Sequence, residues 1–181
     1  MNNKKILLVG DSITASFNTR ELLPEFNIIN KGLSGNKSAH LLRRLNRDLD
    51  ASTPELIFIL IGTNDIAQGF TDKEILNNIR DTLDICSENI HTKNIFIASV
   101  LPTRNNELRP NERIRELNKK IQIISGELKV NYLNLYSLFV DGTEQLFSDL
   151  TNDGLHLNEK AYLKWADFLR KLLNEKLVES S

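Results

Sequence analysis

Four short polar segments carry the residues best suited to chemistry: Gly10-Asp11-Ser12, Asn30 to Asn36, Gly62-Thr63-Asn64-Asp65, and Asp153-Gly154-Leu155-His156. A serine hydroxyl is a weak nucleophile near neutral pH unless a neighbouring base takes its proton. Ser12 is the candidate nucleophile and His156 the candidate base. An imidazole in that role needs an acid to fix its tautomer and to stabilise the imidazolium. Asp153 stands three residues before His156, a spacing that one helical turn brings together. Acyl transfer also needs hydrogen-bond donors aimed at a developing oxyanion. The sequence offers three: the backbone N–H of Ser12 at a helix N-terminus, the backbone N–H of Gly35, and the side-chain amide of Asn64.

Each segment alone has a simpler explanation, as a helix cap or a turn. Their joint occurrence carries the chemical reading. Asp11 and Asp65 read as carboxylates that hold loop amides. His40 and His91 have no acid at a convincing spacing and read as helix and surface positions. Arg104, Arg109 and Arg113 follow the fourth apolar run, where they could meet an anionic substrate group, but a solvated loop and helix face is the expected role. Arg43, Arg44 and Arg47 are interleaved with Leu41, Leu42 and Leu45 and read as the wet side of an amphipathic helix, with no functional role.

The elements that must position these residues are legible as periodicity. Five short apolar runs, Ile6 to Val9, Phe26 to Ile29, Leu56 to Ile61, Ile95 to Val100 and Val130 to Leu135, have the length and β-branched content of strands. Between them, apolar residues recur at helical spacing: Leu41, Leu42, Leu45 and Leu49; Ile75, Ile79, Leu83, Cys86 and Ile90; Ile114, Leu117, Ile121, Ile124 and Leu128. A last helix carries Ala161, Tyr162, Trp165, Phe168, Leu169 and Leu172, with Asn158 at its N-cap. Trp165 and Phe168 read as core packing. Thr71 and Glu74 form a capping box. Strand and helix alternate throughout, so the expectation is an α/β three-layer sandwich on a parallel sheet with right-handed crossovers. In such sheets ligands bind beyond the carboxyl ends of the strands, where all four polar segments would open.

Composition narrows the function classes. The chain has 181 residues, 40% hydrophobic and 26% charged, which suits a single domain over 1–181 with a real core. Lys plus Arg total 23 against 24 for Asp plus Glu, so dedicated nucleic-acid binding loses weight. Cys86 is the one cysteine, lies on an apolar stripe, and allows no intrachain disulfide. The apolar run after Lys4 and Lys5 is too short for a signal-peptide core, and no membrane span is expected, so the cytoplasm is the default compartment. The Glu179-Ser180-Ser181 tail is expected to fray.

Taken together, the four segments resemble the conserved blocks of the SGNH, or GDSL, hydrolase family, in matching order over essentially the whole chain. Gly10-Asp11-Ser12 corresponds to the nucleophile block, Gly35 to the glycine, Gly62-Thr63-Asn64-Asp65 to the asparagine block, and Asp153 to His156 to the acid and base. The resemblance favours Gly35 over Gly32, since the family's donor glycine typically sits directly before a polar residue, here Asn36. The resemblance implies a flavodoxin-like α/β/α fold with five parallel strands and no metal or organic cofactor. It also implies hydrolysis of a small-molecule ester through an acyl-enzyme on Ser12, with Gly35 and Asn64 completing the oxyanion hole. Short connecting loops favour a small acyl group such as acetyl. The alternative is a flavodoxin-like nucleotide- or phosphate-binding module, suggested by Gly32 to Ser38 lying between a strand and a helix and ending in Lys37-Ser38. That segment lacks the glycine that a P-loop places directly before its lysine.

Overall fold

The structure, a computed structural model, describes residues 4–178; the tail expected to fray lies outside them. All five apolar runs form strands: β1 (Lys5–Gly10), β2 (Asn27–Gly32), β3 (Leu56–Leu60), β4 (Ile95–Ala98) and β5 (Asn131–Leu133). They pair in parallel in the order β2-β1-β3-β4-β5. The fourth run ends earlier than its apolar character suggests, and the reason is a side chain. Asn118 accepts from the Val100 N–H at 2.8 Å and donates to the Val100 carbonyl at 2.9 Å, taking both groups that a longer strand would use.

Alternation along the strands sorts the core into two layers. Ile6, Leu8, Phe58, Leu60 and Phe96 face one side, covered by α1 (Ser12–Ala15), α2 (Thr19–Leu22), α7 (Tyr136–Phe139) and α8 (Glu159–Val178). Leu7, Val9, Ile57, Ile59, Ile95 and Ile97 face the other, covered by α3 (Ser38–Ser52), α5 (Asp72–Asn89) and α6 (Asn111–Glu127), with the short α4 (Thr63–Ala67) contributing Ile66. The result is a three-layer α/β/α sandwich. Burying each large aliphatic side chain in these layers contributes roughly 1.5–3 kcal/mol relative to exposure. Among the described residues no helix is long and apolar enough to cross a membrane.

The caps read from sequence form as expected. Thr71 and Glu74 close a reciprocal box at the start of α5. Asn158 accepts from the Ala161 N–H at 3.1 Å at the start of α8. Trp165 is packed into the core, stacked on Phe17 at a ring-centroid distance of 4.6 Å. Phe168 packs against the same layer while partly buried.

This topology sets the place of the site. β1 and β3 lie side by side, yet the chain leaving β1 runs outward to β2 and the chain leaving β3 runs to β4 on the opposite side. The loops that follow β1 and β3 therefore diverge, and the carboxyl ends of the two strands frame a crevice. Ser12 follows the first of these strands and Asn64 the second.

Cys86 and Asp11 are among the titratable groups buried in this scaffold. Cys86 is fully buried and burial pushes its thiol up to about 12. The native protein should be unreactive toward a thiol reagent at about pH 8 and should react with one equivalent on unfolding; rapid labelling of the folded chain would contradict that placement. Asp11 is 1% exposed, and burial pushes its carboxyl up to about 7 despite the opposing hydrogen bond from the Ile13 N–H. An unfolded aspartate titrates near ~3.9, so between about pH 4 and pH 7 the native state holds a proton that the unfolded chain has lost. Stability from this group is then present below that window and falls as pH rises through it. Asp11→Asn keeps an acceptor for the Ile13 N–H but cannot ionise. Its melting temperature relative to wild type should rise by at least ~3 °C between pH 5 and pH 8, and an unchanged difference would reject the neutral carboxyl.

Candidate active site

The end of β1 presents Ser12 by a short chain of local bonds. Asp11 caps α1 with its side chain, accepting from the Ile13 N–H at 2.9 Å, and Ser12 is the first helical residue. Its backbone N–H is one of the donors that a helix N-terminus leaves unpaired. The other end of this one-turn helix is pinned to α8, where the Tyr162 hydroxyl donates to the Ile13 carbonyl at 2.8 Å. Ser12 Oγ lies 3.1 Å from His156 Nε2.

The segment that carries His156 departs from expectation in one respect. Asp153 and His156 do meet, with His156 Nδ1 2.7 Å from Asp153 Oδ2, but no helical turn joins them. They sit on a tight loop closed by an antiparallel bridge between Thr151 and Leu157. Asp153 Oδ1 accepts from the Leu155 N–H at 2.9 Å and the His156 N–H at 2.7 Å, so the carboxylate builds the turn that aims the imidazole. Thr151 Oγ1 donates to the His156 carbonyl at 2.7 Å and accepts from the Gly154 N–H at 3.0 Å. Gly154 adopts a φ of +80°, and a Cβ there would stand 2.2 Å from the Arg104 carbonyl oxygen, so only glycine lets the loop lie against the backbone at Arg104. Slight burial favours the neutral acid of Asp153. The His156 ring and the two amides outweigh it and hold the carboxyl well below the usual carboxylate range. A carboxylate that stays ionised can orient an imidazole and stabilise its protonated form.

The loop between β2 and α3 resolves which glycine is free. Gly32 donates its N–H to Asn30 Oδ1 at 2.9 Å, and a Cβ on it would fall 2.2 Å from the Ala15 nitrogen. It is committed to packing against α1. Gly35 is exposed, adopts a φ of +74°, and its N–H has no hydrogen bond among the described residues. Asn64 Nδ2 donates to the Asn36 carbonyl at 3.0 Å, which leaves the amide's second N–H. Asp65 reads correctly as a loop-holding carboxylate. It accepts from the Ser38 N–H at 2.9 Å and the Ser38 hydroxyl at 2.6 Å, tying the start of α3 to α4. Burial nevertheless raises its pKa against these bonds. Lys37 points away from the loop, donating to Gln68 Oε1 at 2.9 Å and lying 4.8 Å above the Phe70 ring.

The arginines are where the sequence reading needs correction. Arg104, Arg109 and Arg113 are not a solvated face. Arg104 pairs with Asp141 and donates to the Leu146 carbonyl at 2.6 Å; Arg113 pairs with Asp72 and donates to the Phe70 carbonyl. Arg109 reaches the site itself, donating to the Thr63 carbonyl at 3.2 Å and to Asn64 Oδ1 at 3.3 Å. That contact holds the orientation of the Asn64 amide, whose two ends are otherwise hard to tell apart by shape. Arg44 departs furthest from its expected role. It is 9% exposed and bonds to Asp48, Asn36 and Gly10, whereas Arg43 and Arg47 are exposed as expected. Helical periodicity held the signal, since 41, 44, 45, 48 and 49 form one buried face of α3. His40 and His91 keep their plain roles at the starts of α3 and of a short 3-10 turn.

The model of the GDSL-like Lipase/Acylhydrolase family matches residues 8–164. Over 97% of this chain and 78% of its own length, the human platelet-activating factor acetylhydrolase IB subunit alpha1 is 23% identical. Among solved structures, a GDSL-like lipase from Bacteroides thetaiotaomicron superposes with a TM-score of 0.85 at 24% identity, covering 96% of this chain and 89% of that one. An acetylxylan esterase from Geobacillus stearothermophilus superposes with a TM-score of 0.76 at 20% identity, covering 92% and 93%. The chain belongs to the GDSL-like lipase/acylhydrolase family of ester-cleaving enzymes.

Proposed function

We propose that this enzyme hydrolyses carboxylic esters with a small acyl group, acetyl above all, through a Ser12–His156–Asp153 triad and an acyl-enzyme on Ser12. The observation that carries the reading is the unbroken line from Ser12 Oγ to His156 Nε2 at 3.1 Å and from His156 Nδ1 to Asp153 at 2.7 Å. His156 takes the hydroxyl proton as Ser12 Oγ attacks the acyl carbon. The carbonyl oxygen, now an oxyanion, is held by the N–H groups of Ser12 and Gly35 and by Asn64 Nδ2. Collapse breaks the bond to the alcohol, which leaves with the proton from His156. Water then repeats the sequence, restoring Ser12 and releasing the acid.

The free N–H of Gly35 and the second N–H of Asn64 support their part in the oxyanion site. Small-acyl preference draws on two observations. The side chains of His156 and Asp153 are 46% and 53% exposed, so the site is open and offers little wall for a long chain. Two proteins similar to this one are named for removing acetyl groups. A nucleotide- or phosphate-binding module is not favoured, because Lys37, its one phosphate-directed candidate, is turned to Gln68 and Phe70.

Steady-state hydrolysis of p-nitrophenyl esters tests the proposal. Ser12→Ala and His156→Ala should each lower kcat on the acetate by about 10⁴-fold or more, because members of such a unit do not contribute independently. Asn64→Ala should lower kcat by about 100- to 1000-fold. Wild-type kcat/KM on the acetate should exceed that on the octanoate by at least ~10-fold. Turnover that survives in Ser12→Ala would reject the triad, whereas a preference for octanoate would reject only the small-acyl assignment.

A further inference from the structure

Arg44 lies in the middle of α3 and is 9% exposed, where an ion is costly to desolvate unless its donors are met. All three faces of its guanidinium are used. Nη1 pairs with Asp48 one turn along the helix, Nε donates to Asn36 Oδ1 at 3.0 Å, and Nη2 reaches the Gly10 carbonyl at 3.3 Å. A buried ion pair is by itself a weak source of stability, and a well-packed apolar pair would serve a helix as well. The purpose of the charge is therefore to be sought in what Nε and Nη2 hold.

Both hold segments that carry the amide donors of the site. Asn36 directly follows Gly35, and its carbonyl is the acceptor for Asn64 Nδ2. Gly10 stands two residues before Ser12, and its carbonyl also accepts from the Leu33 N–H at 3.1 Å. One planar group thus spans the end of β1 and the loop after β2, and through the Asn36 carbonyl it reaches the loop after β3. We propose that Arg44 is a positioning residue for the oxyanion site, holding Asn36 against Gly10 so that the N–H groups of Ser12 and Gly35 and the Asn64 amide keep one fixed spacing. The proposal rests on the triad and oxyanion assignment above.

The geometry asks for arginine in particular. Its rigid fork meets acceptors in three directions, whereas a lysine at the same place offers a single ammonium that can satisfy Asp48 but not span Asn36 and Gly10 together. Oxyanion donors act only when held within about 0.5 Å of the productive position, so loosening this support should weaken transition-state binding while substrate binding is kept. The signature is a fall in kcat at unchanged KM.

The test is p-nitrophenyl acetate kinetics on Arg44→Lys, Asn36→Ala, their double variant, Arg44→Lys in an Asn64→Ala background, and Ser12→Ala, each checked by thermal melting. Asn36→Ala removes the contact with Nε but leaves the Arg44–Asp48 pair and the backbone carbonyl in place. Arg44→Lys and Asn36→Ala should each lower kcat by at least ~10-fold with KM within about two-fold, and the double variant should lose little more than the worse single. Arg44→Lys should also cost less when Asn64 is already alanine. Wild-type kcat in a folded Arg44→Lys, or losses that multiply independently across these pairs, would overturn the proposal. If Arg44→Lys does not fold, wild-type kcat in Asn36→Ala overturns it equally. Turnover by Ser12→Ala would remove the oxyanion assignment and this proposal with it, whereas an inactive Ser12→Ala beside unimpaired Arg44→Lys and Asn36→Ala rejects the role of Arg44 alone.

Discussion

The 3.1 Å approach of Ser12 to His156 joins residues 144 positions apart, and the local bonds that orient each side chain cannot by themselves bring the two together. It depends on docking the last helix against the first. Tyr162 bonds the Ile13 carbonyl, and Phe17 stacks on both Tyr162 and Trp165 at centroid distances of 5.6 and 4.6 Å. The loop that carries His156 is anchored on both flanks by buried Leu150 and Leu157. Fixing so distant a contact costs loop-closure entropy that this packing helps to offset. The contact between Ser12 and His156 is in that sense a readout of how α8 packs on α1.

Around that contact, the carboxylates differ because their surroundings do. Asp153 is half exposed and bonded to an imidazole and two amides, so its ionised form is favoured. Asp11, beside the same serine, is buried with one amide donor, so its neutral form is favoured up to about pH 7. Each does the work its state permits: Asp153 orients an imidazole, and Asp11 closes a helix cap. Arg109 stands within electrostatic reach of both while binding Asn64. The polar rim is accordingly a set of cross-loop bonds, with Asp65 to Ser38, Arg109 to Asn64 and Arg44 to the Gly10 carbonyl each joining segments that leave different strands of the sheet.

What the sequence disclosed follows from the range over which each signal acts. The strands and long helices were legible because period and composition are local, as the buried stripe through Ile75, Ile79, Leu83 and Cys86 illustrates. The Asp153 and His156 pair was legible as a pair but not as a shape, because a three-residue offset suits both a helical turn and a carboxylate-built loop. Arg44 was misread although its position on the apolar face was visible, since the residue type outweighed the periodicity. Arg109 carried no such signal: its partner Asn64 is 45 residues away, and only the folded sheet brings the two loops together. Strand ends were likewise set by tertiary partners, as Asn118 shows at Val100.

The most direct test of the account is to locate the nucleophile chemically. After treatment with a fluorophosphonate, which traps a serine activated by its neighbours, peptide mass spectrometry should find the adduct on Ser12 alone. The same treatment of His156→Ala should label Ser12 at least ~100-fold more slowly. An adduct on another serine, or labelling of Ser12 at an undiminished rate without His156, would contradict the proposed site.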